Sequence, residues 1–249
     1  MSNIPPSLYR LPFVIANLAA GQIAILPPTK SAPQTEQNKY VTKTKSHEYL
    51  SAVMWWFLPT IWTFMYAIHI AEVYIVLAAA YPPLRSPTLL GLILPPNPSL
   101  SSLSRRLEVS PAYLFATAIS VVGGGHRRLC FVTLGRHFTF ELSVKRDHKL
   151  ITYGPYTVVR HPAYTAILIH YLGLLLTVFG LSSWWSEADV WRTTLGVVVG
   201  GLWLVMVVFM LTSLVRRVPK EDKVMRDEFR QEWVEWSKKT PYALIPWLY

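Results

Sequence analysis

The chain has 249 residues, of which 52% are hydrophobic and only 15% charged, with a formal net charge of +10. Soluble globular chains carry roughly 25% charged residues. Here the apolar residues also come in long blocks, which excludes an ordinary soluble domain and points to a membrane protein. The Lys and Arg residues sit mostly between those blocks, as the positive-inside rule expects, rather than in a nucleic-acid-binding face. The single cysteine, Cys130, excludes an internal disulfide and reads as a packing residue.

Five apolar blocks follow in chain order. The first, about 8–26, is interrupted by Pro12, Asn17 and Gln22. It reads as a retained helix, since a signal peptide would have a shorter, more basic start and a small-residue cleavage site. The polar segment 28–49 reads as flexible. The second block, about 50–81, is long enough for a tilted span, in which Pro59 marks a kink or a separate lead-in helix. The segment 82–111, with prolines at 82, 83, 87, 95, 96, 98 and 111, reads as an irregular loop whose TLLGLIL stretch is too short to span. The third (about 112–134), fourth (about 163–181) and fifth (about 190–215) blocks each approach the ~20 residues that a bilayer requires.

The expected fold is therefore an all-α integral membrane protein of about five transmembrane helices. Residues 1–133 form an N-terminal transmembrane region of about three spans. Residues 134–249 hold a loop, a two-span hairpin and a tail. With five spans, Lys30, Lys39, Lys43 and Lys45 share one side with Arg136, Lys145, Arg146, Lys149 and Arg160 and with Arg216, Arg217, Lys220 and Lys223. The opposite side receives the short acidic turn SSWWSEADVWR. The Lys/Arg bias places the loop and tail in the cytosol.

Several polar groups stand out. Arg160-His161-Pro162 lies between Tyr153, Tyr156 and Tyr164. Two readings fit it: an interfacial aromatic belt with proline at a helix start, or the wall of a site. Residues 220–239 are charge-rich and place Val224, Met225, Phe229, Trp233 and Trp236 at three-to-four spacing. That is an amphipathic helix, which should lie on the bilayer or over the preceding loop. Arg217 and Glu221 are four apart and would share a helix face, although Pro219 sets Arg217 at or before a helix start. His69 and Glu72, in the second block, read as interhelical hydrogen-bonding groups or as a functional intramembrane pair. His170 reads as structural, Gly123-Gly124-Gly125 as a close-packing element, and Trp184, Trp185 and Trp191 as an interfacial belt. His137, His148 and His161 lack the spacing of a zinc site.

HKLITYGPYTVVRHPAY, followed by a fifth span and RRVPKEDKVMRDEFRQEWVEW, resembles the isoprenylcysteine carboxyl methyltransferases from about residue 134 onward. The resemblance implies a multi-pass endoplasmic-reticulum enzyme with its active site and C-terminus in the cytosol. Such enzymes move a methyl group from S-adenosylmethionine to the C-terminal carboxylate of a prenylated cysteine. By matching position, the cofactor would be held by His148, Lys149, Leu150, Ile151, Tyr156, Arg160, His161, Pro162, Ala163 and Glu221. Arg217 would meet the substrate carboxylate. The implied partners are prenylated proteins and membrane lipid, with no metal and no nucleic acid. Some relatives carry glutamine where this chain has Glu141, and the acidic run before the tail helix is thinned to Pro219-Lys220-Glu221-Asp222.

The residue types suit that chemistry. An α-carboxylate, with a solution pKa near ~3.5, is ionised at neutral pH, so no general base is required. Arginine offers a carboxylate two parallel hydrogen bonds, and glutamate accepts from ammonium or ribose hydroxyls. Rival readings are a phospholipid N-methyltransferase, an NADPH-dependent sterol reductase and a non-catalytic membrane scaffold. The reductase expects an asparagine where Pro162 stands.

Overall fold

The computed structural model describes residues 5–26, 49–94, 99–138 and 149–249, without the side chains of 49–55. Glu141, Lys145, Arg146, His148 and the lysines of the 28–49 segment lie outside them. Among the described residues the fold is all-α. A 3-10 turn, Pro6–Arg10, leads into α1 (Leu11–Ile25). Then come α2 (Tyr49–Ala80), α3 (Pro87–Ile93), α4 (Leu100–Arg106), α5 (Pro111–Leu134), α6 (Pro162–Phe179), α7 (Trp184–Glu187) and α8 (Thr194–Lys239).

Four stretches, Pro6–Ile25, Trp56–Ala80, Pro162–Glu187 and Thr194–Lys239, are long and apolar enough to cross a membrane. A fifth span is reached if Leu100–Arg106 and Pro111–His137, bent by 67°, form one crossing. The spans alternate in direction. Gly124 of α5 meets Ala20 of α1, and Asn17 donates to Thr117, so those two run parallel. Phe57 and the Ile61 carbonyl of α2 meet Phe209 and Trp203 of α8, so those two run antiparallel. The end of α5, the start of α6 and the distal part of α8 therefore share one end of the bundle.

Four expectations are corrected. The segment 82–111 is partly helical: Ser86 and Ser99 accept from Leu89 N and Ser102 N and cap α3 and α4. Leu103 and Leu107 then bury α4 in the main core. No helix starts at Pro219. The fifth span continues through Pro219 into the amphipathic tail, and α8 kinks at Arg230 (φ 46°, ψ −114°), where its last part, 231–239, begins as a second helical segment. Packing on both sides of Pro219 outweighs the one missing N–H, as tertiary context often does. Trp184 and Trp185 form no outward belt. They are buried among Phe64, Phe179 and Trp191, where Gly200 leaves room for the indole of Trp185. Pro59 lies inside an uninterrupted α2, so there is no separate lead-in helix.

The closest helix pair is α5 and α6. A Cβ on Gly123 would sit 2.3 Å from His170 N, and one on Gly173 2.2 Å from Ser120 N. Glycine alone permits this approach, which brings Ser120 Oγ to 3.2 Å from His170 Nδ1. Of the glycine triplet, Gly125 faces open space.

At the opposite end, Arg10 and Glu72 form a buried ion pair, with the Arg10 guanidinium carbon 3.5 Å over the Tyr113 ring. His69 binds the Met65 carbonyl at 2.8 Å instead of Glu72. Removing one member of a buried pair strands the other charge at a cost of about 3–5 kcal/mol, whereas replacing both with apolar residues is often neutral. Glu72→Leu should therefore lower the thermal midpoint of the detergent-solubilised protein sharply, and Arg10→Met/Glu72→Leu should recover most of the loss. A double variant no better than the single would assign the effect to lost volume.

Candidate functional site

Residues 149–161 cross from the end of α5 to the start of α6. Gly154 turns the chain with φ +62°, an angle that L side chains avoid, while a Cβ there would meet Thr133 only at ordinary contact distance. The 3-10 turn Gly154–Thr157 that follows drives Tyr156 inward. Burial pushes its phenol far above the usual range, so it stays neutral. Leu150, Tyr156 and Trp236 form a small core, packed by Ile151, Met225, Phe229 and Trp233. The amphipathic face read from the sequence thus lies over the loop. Trp236 Nε1 donates to the Tyr156 carbonyl at 3.2 Å and ties the distal part of α8 to it.

Arg160 and His161 then run beside the segment after α8. Their amides donate to the carbonyls of Tyr242 and Ala243, both at 2.9 Å. Arg160 Nη2 reaches Asp222 Oδ2 at 3.0 Å, and its Nη1 donates to the carbonyls of Thr240 and Pro241. His161 lies between two carboxylates, with Nε2 at 2.9 Å from Asp222 Oδ1 and Nδ1 at 3.2 Å from Glu221 Oε2. Glu221 Oε1 also accepts from Arg217 Nε at 2.7 Å and from the Tyr164 hydroxyl at 2.6 Å. Burial opposes a charge on His161, but the hydrogen bonds to Asp222 and Glu221 outweigh it and raise its pKa to about 9. Both ring nitrogens can donate only in the imidazolium form.

Nearly all of the described site candidates therefore converge. Arg160, His161, Glu221 and Arg217 form one network. Leu150, Ile151 and Tyr156 form the adjoining apolar wall. Pro162 opens α6 at its first position, where its missing N–H costs nothing. Ala163 follows, and its carbonyl accepts from Arg127 Nη1 at 2.7 Å. Lys149 is exposed at the edge.

Sequence reasoning missed three members. Asp222 was seen only as part of an acidic run, yet it binds both Arg160 and His161. Tyr164 was read within an aromatic belt, yet it stacks on the His161 ring at 5.7 Å and donates to Glu221. Arg127 is buried in α5, its guanidinium given to the carbonyls of Ala24 and Ala163. The available signal was a charged triplet, His126-Arg127-Arg128, inside an otherwise apolar block.

The array offers cations for a carboxylate, carboxylates for ammonium or hydroxyl groups, and aromatic faces for a planar ring or a sulfonium. On the outer face of α8, Leu204, Val208, Phe209, Thr212 and the exposed Arg216 line a shallow, open groove of about 430 Å³.

Residues 116–193 match the isoprenylcysteine carboxyl methyltransferase (ICMT) family. The chain is similar to protein-S-isoprenylcysteine O-methyltransferase B of Arabidopsis thaliana, with 25% identity over 130 residues, 51% of this chain and 56% of that protein. To protein-S-isoprenylcysteine O-methyltransferase A of the same plant it is 34% identical over 61 residues, covering 24% of this chain and 31% of that protein. At best, then, the chain spans little more than half the length of these relatives. The matched stretch of the family runs from α5 through Arg160 and His161 to the end of the α6 hairpin, and its features agree with the resemblance carried by the loop residues.

Proposed function

We propose that this protein is an S-adenosylmethionine-dependent methyltransferase acting on the C-terminal carboxylate of a prenylated cysteine. The observation that carries the reading is the convergence of loop and helix: Arg160 and His161 on Asp222 and Glu221, with Arg217 beside them, where two spans leave the membrane. We also propose that the membrane is that of the endoplasmic reticulum and that this end of the bundle faces the cytosol, from the Lys/Arg bias.

The residues fit the cofactor. It has a carboxylate, an ammonium, ribose hydroxyls, a planar base and a sulfonium, and the network supplies paired cations, paired carboxylates and aromatic rings within one shell. Bound there, S-adenosylmethionine would supply an electrophilic methyl group. Arg160 and His161 would hold its carboxylate, Glu221 would take an ammonium or hydroxyl donor, and Tyr156 with Leu150 and Ile151 would form the apolar wall. Arg217 receives the substrate carboxylate, whose oxygen is the nucleophile and is already ionised. No side chain has to remove a proton. The protein's work is alignment in a site shielded from water, worth several kcal/mol. A prenyl chain would lie along the shallow groove on α8, whose Arg216 end is next in sequence to Arg217.

The test is methyl transfer by the detergent-purified protein from labelled S-adenosylmethionine. Base-labile label on a farnesylcysteine analogue is expected. Label on phosphatidylethanolamine alone would refute the reading, and binding of NADPH without methyl transfer would favour a reductase. Arg217→Ala should cut kcat/KM by at least about 100-fold, the cost of removing a buried charge contact, while cofactor binding persists. Normal turnover would remove Arg217 from this role. Val208→Trp, which narrows the groove, should raise KM for the prenylcysteine and leave cofactor affinity unchanged; equal losses in both would count against the groove.

The pH dependence follows from His161. Its folded-state pKa, about 9, lies above its ordinary value of 6.5. The stabilisation it lends the network is fully present below pH 6.5 and is lost as pH rises through about 9. Cofactor affinity, read by calorimetry, should hold to pH 8 and weaken between pH 8 and 10, and His161→Gln should flatten that limb. An equally steep limb in the variant would assign the titration to another group.

A further inference from the structure

The segment after α8 has no charged side chain from Pro241 to Tyr249, and residues 244–249 form a tight turn. The amides of Leu244 and Ile245 both donate to the Tyr249 carbonyl at 2.9 Å, and that of Tyr249 donates to the Ile245 carbonyl at 3.0 Å. Trp247 takes the left-handed region, φ 64°. The turn has two faces. Ala243 and Leu244 are buried with Val218 against Tyr164, Leu168 and Val215. Ile245, Trp247, Leu248 and Tyr249 face outward, with Trp247 87% and Leu248 77% exposed.

The inner face sets the depth of the outer one. Leu168 lies about 9 Å along α6 from Pro162, at ~1.5 Å per residue, and Val215 ends the apolar run of α8. Thr165, one turn into α6, donates to the Leu244 carbonyl at 2.6 Å. The turn therefore sits alongside the first turns of two spans, at the level where interfacial elements bury their apolar side 5–10 Å into the headgroup–acyl boundary. Tryptophan and tyrosine are the residues that favour that layer, and Lys238 and Lys239 lie just outside it. An aqueous environment for four large apolar side chains in this position would leave them without any cover.

We propose that residues 241–249 form an interfacial anchor whose partner is the bilayer that the spans themselves cross, and that this anchor holds the Arg160–His161 strand in place. The coupling is direct. The same segment supplies the Tyr242 and Ala243 carbonyls to the amides of Arg160 and His161, and the Thr240 and Pro241 carbonyls to the Arg160 guanidinium. Lipid contact on one face keeps these acceptors in position on the other. The bilayer is thus part of the site's wall, whichever reaction the site performs.

The full chain in lipid nanodiscs tests this. Cys130 is buried, so a spin label can be placed at Trp247→Cys and, as a control, at exposed Glu232→Cys. The label at 247 should be accessible to oxygen and shielded from a water-soluble nickel chelate, with the reverse at 232. Equal chelate access at both positions would overturn the anchor, and shielding from both reagents would assign the face to a second protein surface and overturn the lipid partner. Separately, Trp247→Ser/Leu248→Ser should speed hydrogen exchange at the Arg160 and His161 amides by at least tenfold. Unchanged exchange would overturn the coupling to the site.

Discussion

One charged junction organises this end of the molecule: His161 held between Asp222 and Glu221, with Arg160 and Arg217 on either side. Its members come from α8 and from the loop that leads into α6, and most are largely buried. Ion pairs exposed at a surface contribute little. This one is shielded and shares its acceptors, so each group depends on the others for its charge state. The histidine stays protonated because two carboxylates flank it. The result is a rigid joint between the start of α6 and the middle of α8. It keeps α8 running past the membrane face as far as the kink at Arg230, and Phe229 before the kink and Trp233 and Trp236 after it fall on the loop.

The joint in turn depends on how α6 is seated. Gly123 and Gly173 let α5 and α6 touch backbone to backbone, which sets the height of Pro162 relative to α5. Arg127 then reads that height. Its guanidinium bridges the last turn of α1, at Ala24, and the first turn of α6, at Ala163. A buried arginine spent on two main-chain carbonyls is costly unless both are well placed, so the three helices are held in register just beneath the site. Arg10 and Glu72 perform the same service at the other end of α1, across from α2.

The spans were legible because hydropathy over ~20 residues is a local property with a strong physical cause. The amphipathic tail was legible because its apolar residues recur at helical spacing. Where sequence reasoning failed, the deciding interaction was non-local. Pro219 is a helix breaker by local rule, yet α8 runs through it because Glu221 and Asp222 are held from outside by Arg160, His161 and Tyr164. Glu72 stands out as an acid inside an apolar block, whereas its partner Arg10 lies 62 residues away in the first block, where nothing local marks it. Trp184 and Trp185 have the composition of a belt and are nevertheless buried, a distinction that only packing against Phe64 and Gly200 reveals. At the site, the Arg-His-Pro and Arg-x-x-x-Glu patterns were visible. Their meeting was not, and neither were Asp222, Tyr164 and Arg127, each of which acquires its role only from what folds against it.

The position of the junction matters as much as its membership. On the proposed reading, a polar cofactor and a lipid-borne substrate share no common solvent, so a site serving both must lie where aqueous loop and bilayer meet. Charged groups in such a place tend to hydrate and loosen. Here they are enclosed instead, by the Tyr156–Trp236 core on the aqueous side and by the turn after α8 on the lipid side. That enclosure strengthens every charge contact within it. The apolar turn and the charged latch are therefore two halves of one device: the first keeps water and lipid from dissolving the second, and the second gives the first a fixed scaffold to press against.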